Sequence, residues 1–413
     1  MNKPRVLLSH PTGNQNVRNT LQSLAEREML AEFWTTVAWD AQSRWNRLLP
    51  SGIRMQLERR AYPKVPRVRV RSVPSREMVR LAAGATPLNG FLNSGERRFS
   101  IIGVYRHFDA EVARRVSSLL PDVVYGYEGG ALQTFREAKR LGIRTIYELA
   151  SSYWYWVRDL LKQEAELSPS FAELLPNLLD SAKHLQWKDE EVSLADYVFV
   201  ASQHVRQTLA GVVPDKKIRV VPYGAPEIRR REHAMTDPTR PLRVLFVGAL
   251  VQHKGIGYLL DAIDRLGAQV KLTLVGRRFY ANPRVDEACH RWRWFESLPH
   301  SRVLEVMMDS DVLVLPSLGE GFGLVVTEAL ACGLPVIVTP NVGASDLVHD
   351  GQEGFVVPVR SADLIAERLQ TLCLDRKLLA AMSRHAQASA EKHSWESYRA
   401  SFADTLESVV PCK

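Results

Sequence analysis

Short apolar runs alternate with stretches of helical spacing along most of the chain, most regularly in its second half. Residues 242–248, 271–276, 312–316, 335–339 and 354–357 are leucine-rich or β-branched runs. Between them, 255–267, 300–309, 322–333 and 362–373 repeat apolar positions with the helical period. Strands apolar on both faces and separated by helices predict a parallel sheet covered on both sides, a doubly wound α/β domain. The first half follows the same grammar: strands over 5–9, 33–39, 121–127, 143–149, 197–202 and 218–222, with helices over 16–31, 130–142 and 204–211. A long helical stretch, 158–195, is interrupted by Pro169 and Pro176.

Between the halves, 223–241 is rich in proline and charge and lacks an apolar period, which marks a linker. The expected organisation is a first Rossmann-like domain over 1–222 and a second over 242–393. A last helix, 394–413, returns to the first domain. Open α/β sheets bind ligands beyond the carboxyl ends of their strands, so a cleft lined by strand-to-helix loops of both domains is expected.

With 413 residues, 46% apolar and 24% charged, the chain can bury two cores, and a disordered, collagen-like or coiled-coil chain is excluded. No apolar stretch approaches the ~18 residues that span a bilayer. The opening residues read as a first strand rather than a signal peptide. Cys289, Cys332, Cys373 and Cys412 show neither metal-ligand nor disulfide-framework spacing, so a reduced, cytoplasmic protein without a metal site is expected. Asp309-Ser-Asp311, a possible metal motif by composition, falls between a helix and the start of a strand, at the end of the sheet away from the cleft, and reads as a cap and turn.

The net charge of +8 is unevenly placed: between Arg44 and Arg115 sixteen Lys/Arg stand against five Asp/Glu. The alternating run over 64–71 reads either as a charged edge strand or as part of a surface drawn to an anionic membrane or acceptor. No nucleic-acid reading motif accompanies it.

The stretch 314–338 carries the densest chemistry. A strand ends at Pro316, and a loop with Glu320, Gly321 and Gly323 enters a helix that starts near Phe322 or Gly323, with Glu328 about a turn into it. The two glycines remove Cβ atoms where a ligand approaches the backbone, and the helix start presents free N–H groups to an anion. Two carboxylates beside such a pocket suit a sugar nucleotide, with phosphates on the amides and carboxylates on hydroxyls.

The arrangement resembles the retaining glycosyltransferases of family 4, which adopt the GT-B fold. Glu320 and Glu328 meet their paired-glutamate spacing, followed by Glu328-Ala-Leu-Ala-Cys-Gly-Leu-Pro-Val-Ile-Val-Thr339. Val221-Pro-Tyr-Gly224, Phe246-Val-Gly-Ala-Leu250 with His253-Lys-Gly255, and Ala344-Ser-Asp346 with Gly354 follow in the family's order. The likeness is dense over about 220–395 and thin before it.

This resemblance implies transfer of a sugar, with retention, from a nucleoside-diphosphate donor to a glycan or lipid-linked acceptor, in cell-surface polysaccharide or glycolipid synthesis. The enzyme would sit in the cytoplasm or at the inner membrane face and need no cofactor or metal. Lys254 would bind the diphosphate, with His253 standing where an Arg is common; Glu320 would face the sugar and Glu328 the ribose. Gly321, Phe322, Gly323 and Leu324 would line the donor site, Arg277 the nucleobase, and Gly13 and Asn14 would cover the phosphates. The departing phosphate would accept the acceptor's proton. Glu148 and Glu128, at strand ends of the first domain, are the candidates for the place where many members carry a His. Tyr153, Trp154 and Trp156 are acceptor-side candidates, since cleft-rim aromatics stack on sugar faces. Two alternatives remain: a sugar-nucleotide epimerase of the same fold, and a glycan- or sugar-nucleotide-binding protein without turnover.

Overall fold

A computed structural model describes residues 3–40, 60–84, 97–175, 181–228 and 240–410, with positions 54, 57 and 95. Its first domain holds a seven-stranded sheet: β1 (Val6–Ser9), β2 (Leu30–Thr35), β3 (Val70–Ser72), β4 (Val123–Tyr127), β5 (Arg144–Leu149), β6 (Tyr197–Val200) and β7 (Ile218–Val220). The strands lie in the order β3-β2-β1-β4-β5-β6-β7, and every pair is parallel. In the second domain β8 (Leu242–Val247), β9 (Val270–Val275), β10 (Arg293–Phe295), β11 (Val312–Leu315), β12 (Val336–Val338) and β13 (Gly354–Val356) form an equally parallel sheet in the order β10-β9-β8-β11-β12-β13. β1, β4 and β11 are buried along their whole length, as strands with helices on both faces must be.

Strand order reverses between β1 and β4 in one sheet and between β8 and β11 in the other. Loops leaving these strands diverge to opposite faces and open a crevice at each switch point. The chain crosses between domains twice, and the crossings pair: Ala225 N–H donates to His393 O at 2.8 Å and Trp395 N–H to Ala225 O at 3.1 Å. The last helix, Trp395–Val409, then packs on the first-domain helix Gln15–Glu26, where Thr20 and Tyr398 hydroxyls meet at 2.7 Å.

Several local expectations shift. The helix expected over 16–31 ends at Glu26, because Glu28 takes a left-handed turn (φ 59°) and releases the chain into β2 at Leu30. The basic run over 64–71 is mostly a turn: Pro66 precedes a 3-10 segment, Arg67–Arg69, and only Val70–Ser72 adds as edge strand β3. The aromatic run after β5 opens a helix, Trp154–Leu167, instead of preceding one, and Pro169 ends it as expected. The helices Ser75–Gly84, Ile101–Leu119 and Pro283–Arg291 and the three-residue edge strand β10 were not among the expected elements, although Val104, Phe108, Val112 and Val116 give Ile101–Leu119 an apolar face.

Asp311 opens β11 at the sheet end away from the cleft, where Arg240 grips its carboxylate with two bonds at 2.7 and 2.8 Å and the Arg243 N–H donates at 2.8 Å. Burial opposes its ionisation, but these bonds outweigh it and hold its pKa low. The motif is an anchor for the linker's end, in keeping with its reading as a cap.

Candidate active site

On the second-domain wall the loop after β11 is fixed by its backbone. Leu318 N–H donates to His253 O (2.9 Å), Glu320 N–H to Asn341 O (2.9 Å) and Ala344 N–H to Phe322 O (2.7 Å). The loop after β8 ends in a 3-10 turn, Gln252–Lys254, and Gly255 at φ 74° turns it into the helix Ile256–Leu266. A Cβ on Gly255 would stand 2.0 Å from Pro316 O, so only glycine lets the two loops touch. That contact brings Lys254 Nζ into an ion pair with Glu320 Oε2. Burial pushes the Lys254 pKa down to about 8. The same desolvation, with the Lys254 charge adding to it, pushes His253 down to about 4. His253 is therefore neutral at neutral pH and does not replace the cation of an Arg. Glu328 pairs with His300 Nε2 at 2.9 Å, and burial raises its pKa against that bond.

Between the domains lies a cavity of about 380 Å³ that joins this wall to the first domain. Lys254, His253, Gly319, Glu320 and Gly321 line one side, and Glu128, Trp154, Trp156, Arg158 and Lys188 line the other. Glu128 accepts from Ser151 Oγ at 3.0 Å and faces Lys188 Nζ at 3.5 Å. Its turn is held from behind by buried Glu191, which accepts from the N–H groups of Gly129 (2.7 Å) and Ala131 (2.9 Å). Desolvation raises Glu191 to about 8. The Arg158 guanidinium stacks over Trp154 (5.0 Å) and Tyr155 (4.9 Å). Arg158 and Lys188 carry no sequence motif. Their only signal is helical phase, four residues after Trp154 on one helix and three residues before Glu191 on another.

The helix also sorts the aromatic run. Trp154 and Trp156 face the cavity, and Tyr155 is half exposed. Tyr153 instead points inward, buried in the first-domain core with its hydroxyl on Asp189, which corrects its place among the acceptor-side candidates. Successive residues at a helix start lie about 100° apart, so four aromatics cannot share one face.

Glu148 also departs from expectation. Strand alternation turns it to the Ile146 face of the sheet, where Tyr223 and Tyr125 hydroxyls donate at 2.5 and 2.6 Å. Burial raises its pKa against those bonds. It lies beneath the cleft and is not among the residues lining this cavity, so of the two carboxylates Glu128 is the one that lines it.

Gly321 is approached by protein: its Cβ would stand 2.1 Å from Ala150 O, and Ser202 Oγ donates to its carbonyl at 2.8 Å. The close approach that excludes a Cβ here is that of the first domain's backbone, and Gly321 also lines the cavity. Gly323 takes φ 84° as the residue capping the helix Leu324–Ala331. The Phe322 ring is buried edge-on against Tyr223 at 5.1 Å. Leu324 is half-buried at the first turn of that helix.

Gly13 and Asn14 do not line the cavity. A Cβ on Gly13 (φ 66°) would meet the Tyr62 hydroxyl at 2.1 Å, and Asn14 caps its helix by accepting from Val17 N–H at 3.0 Å. His10 holds the loop by accepting from Thr12 and Gly13 N–H groups. Arg277 is exposed, 3.9 Å from Glu296, away from the cavity wall.

The family model described as glycosyl transferases group 1 matches residues 229–389. A D-inositol 3-phosphate glycosyltransferase of Rhodococcus jostii is 32% identical over 182 residues, 43% of this chain and 36% of that protein. The chain's matches cover between 35% and 52% of the lengths of such curated relatives. Among solved structures, sucrose-phosphate synthase from Thermosynechococcus elongatus superposes with TM-score 0.67 at 18% identity, covering 98% of this chain and 99% of that one. Anabaena HepE in complex with UDP gives 0.62 at 17% identity, covering 98% and 100%. The fold is GT-B, with two Rossmann-like domains facing across a cleft.

Proposed function

We propose that this protein is a retaining glycosyltransferase that moves a sugar from a nucleoside-diphosphate donor to a glycan or lipid-linked acceptor. The observation that carries this reading is the meeting of Lys254 and Glu320, within the matched segment 229–389, at one wall of the interdomain cavity. The solved HepE structure that shares the fold holds UDP.

In this reading the donor pyrophosphate takes Lys254 from Glu320, gaining a charge-assisted hydrogen bond worth roughly 1.5–3 kcal/mol. Glu320, released, accepts from hydroxyls of the sugar, and Glu328 from those of the ribose. The first turn of Leu324–Ala331 adds N–H groups and a positive dipole end toward the phosphates. As the sugar–phosphate bond breaks, Lys254 neutralises the charge growing on the leaving oxygen, which in turn takes the acceptor hydroxyl's proton. No covalent sugar–enzyme intermediate and no metal is required. Trp154 and Trp156 carry the acceptor, and Glu128 orients its hydroxyl. The acceptor belongs to cell-surface polysaccharide or glycolipid synthesis.

The region between Arg44 and Arg115 brings the first domain to an anionic membrane surface in the cytoplasm. Among its described residues, Glu77 pairs with Arg60 and Arg80, Glu32 with Arg71 and Arg115, Asp40 with Arg67 and Glu111 with Arg114, so the attraction comes from the excess of cations over carboxylates and from exposed Val68 and Ile101. No helix among the described residues is long and apolar enough to cross a membrane.

The test is incubation with nucleoside-diphosphate sugars, reading free nucleoside diphosphate and sugar configuration. Diphosphate release stimulated by an acceptor, with retained anomeric configuration, is the expected result. An epimerised donor, or binding without turnover, contradicts it. Binding to anionic vesicles should weaken steeply as salt rises.

A further inference from the structure

Glu164 lies near the end of the first-domain helix Trp154–Leu167, fully buried, and the bonds to its carboxylate come from the other domain. Gln252 Nε2 donates to Oε1 at 2.7 Å, the Tyr258 hydroxyl to Oε1 at 2.8 Å, and Arg360 Nε to Oε2 at 2.7 Å. Gln252 is itself buried and passes the contact on, since its Oε1 accepts from Gly257 N–H at 3.1 Å. It is also the first residue of the turn that ends in Lys254. The carboxylate thus holds both ends of the short arc Gln252–Gly257 through one amide side chain.

A bare packing role does not account for this choice. Burying an ion pair across an interface is costly, and well-packed apolar residues commonly stabilise such a place as well or better. Arg360 moreover holds a left-handed backbone at φ 64°, a conformation that non-glycine residues keep only where surroundings enforce it. What the cluster supplies is a fixed direction: it ties the phosphate-side turn to the helix whose other end carries Trp154, Trp156 and Arg158 into the cavity. Trp156 and Glu164 are about 12 Å apart along that helix at its ordinary rise.

We infer that Glu164, with Arg360, is a positioning residue that sets the turn Gln252–Lys254 and thereby places the Lys254 ammonium for a nucleoside diphosphate. This rests on the proposed role of Lys254. Glu164 touches no substrate, and acts through Gln252.

The full chain is tested as wild type and as Glu164→Ala, Glu164→Gln, Gln252→Ala and Asn282→Ala. The last is a control: Asn282 joins the same two domains through a bond to Ser170 O at 2.8 Å and caps a helix, but lies off the cavity. UDP affinity is read by calorimetry, Tm by thermal unfolding, and exchange of the Gly257 amide by hydrogen–deuterium exchange. Glu164→Ala and Gln252→Ala should each weaken UDP tenfold or more and speed Gly257 exchange. Glu164→Gln, which keeps an oxygen for Gln252 and Tyr258, should restore much of both. Asn282→Ala should lower Tm and leave UDP affinity and Gly257 exchange as they were. If Glu164→Ala does not fold, Glu164→Gln against Gln252→Ala carries the same comparison. A fall in Tm with unchanged affinity and unchanged Gly257 exchange would overturn the inference. Should wild type bind no nucleoside diphosphate, the proposed function falls, and Gly257 exchange alone then decides for or against positioning.

Discussion

The second-domain wall of the cleft is made of loops whose backbone is pinned, so that residues adjacent in sequence act together: His253 with Lys254, and Glu320 with the glycines beside it. The first-domain wall is made of side chains standing on helices, where neighbours in sequence point to different places. Tyr153 enters the core, Trp154 and Trp156 reach the cavity, and Tyr155 meets solvent. The two carboxylates once equivalent as candidates divide in the same way: Glu128, on a turn, lines the cavity, and Glu148, on a strand, is carried under it. A loop motif announces its function in one dimension, whereas a residue on a helix or strand has a role set by phase.

The sharpest break between the walls should appear in turnover. Lys254→Ala and Glu320→Gln are each expected to lose at least ~100-fold, as removal of leaving-group electrostatics does. Glu148→Gln should stay within a few-fold while lowering Tm, because it disturbs only the tyrosine nest. Diphosphate release under saturating donor measures all three, and an equal loss in Glu148→Gln would return that residue to the mechanism.

Next in size is the pH dependence of UDP affinity. Burial lowers Lys254 to about 8, and the diphosphate binds the ammonium form. Affinity should therefore hold below pH 8 and fall above it, by up to about tenfold per pH unit. Calorimetry from pH 6.5 to 9.5 checks this, and Lys254→Arg should flatten the profile.

On the first-domain wall, Trp156→Ala should raise the acceptor KM several-fold with donor KM unchanged. Tyr153→Phe should leave both constants alone and cost only stability, through the lost hydroxyl bond to Asp189. A smaller effect attaches to Glu191. Its folded pKa of about 8 lies above the ordinary carboxylate value, so the folded state holds a proton that the unfolded chain has released. Stability from this group is full at low pH and fades as pH rises from about 4.5 to 8. Thermal unfolding should show Tm falling by a few degrees across that window, and Glu191→Gln should reduce the slope. Chelation of divalent metals by EDTA should leave turnover unchanged.

The sheets were legible because their strands are apolar on both faces, a pattern that burial between helices requires. The edge strand β10 was not, since a three-residue edge carries little apolar signal, and the helix Ile101–Leu119 was passed over although Val104, Phe108, Val112 and Val116 recur at four-residue spacing among its charges. At the site, Glu320 was readable from the loop pattern and Lys254 from the resemblance, and the fold brings the two together, while Glu328 pairs with His300 outside the residues that line the cavity. Gly321 lines the cavity as expected, but the close approach that excludes a Cβ was not foreseen, because sequence shows that a Cβ is unwelcome and not what approaches. Here it is the Ala150 carbonyl of the facing domain. Arg158, Lys188 and Glu164 were invisible for a related reason, as each matters only through a partner that the fold delivers from elsewhere in the chain.

The most direct measurement is a crystal structure of the protein with a nucleoside-diphosphate sugar. The account predicts the pyrophosphate within hydrogen-bond reach of Lys254 Nζ, with Glu320 turned from the lysine to the sugar. A donor bound elsewhere, with the Lys254–Glu320 pair intact, would contradict it.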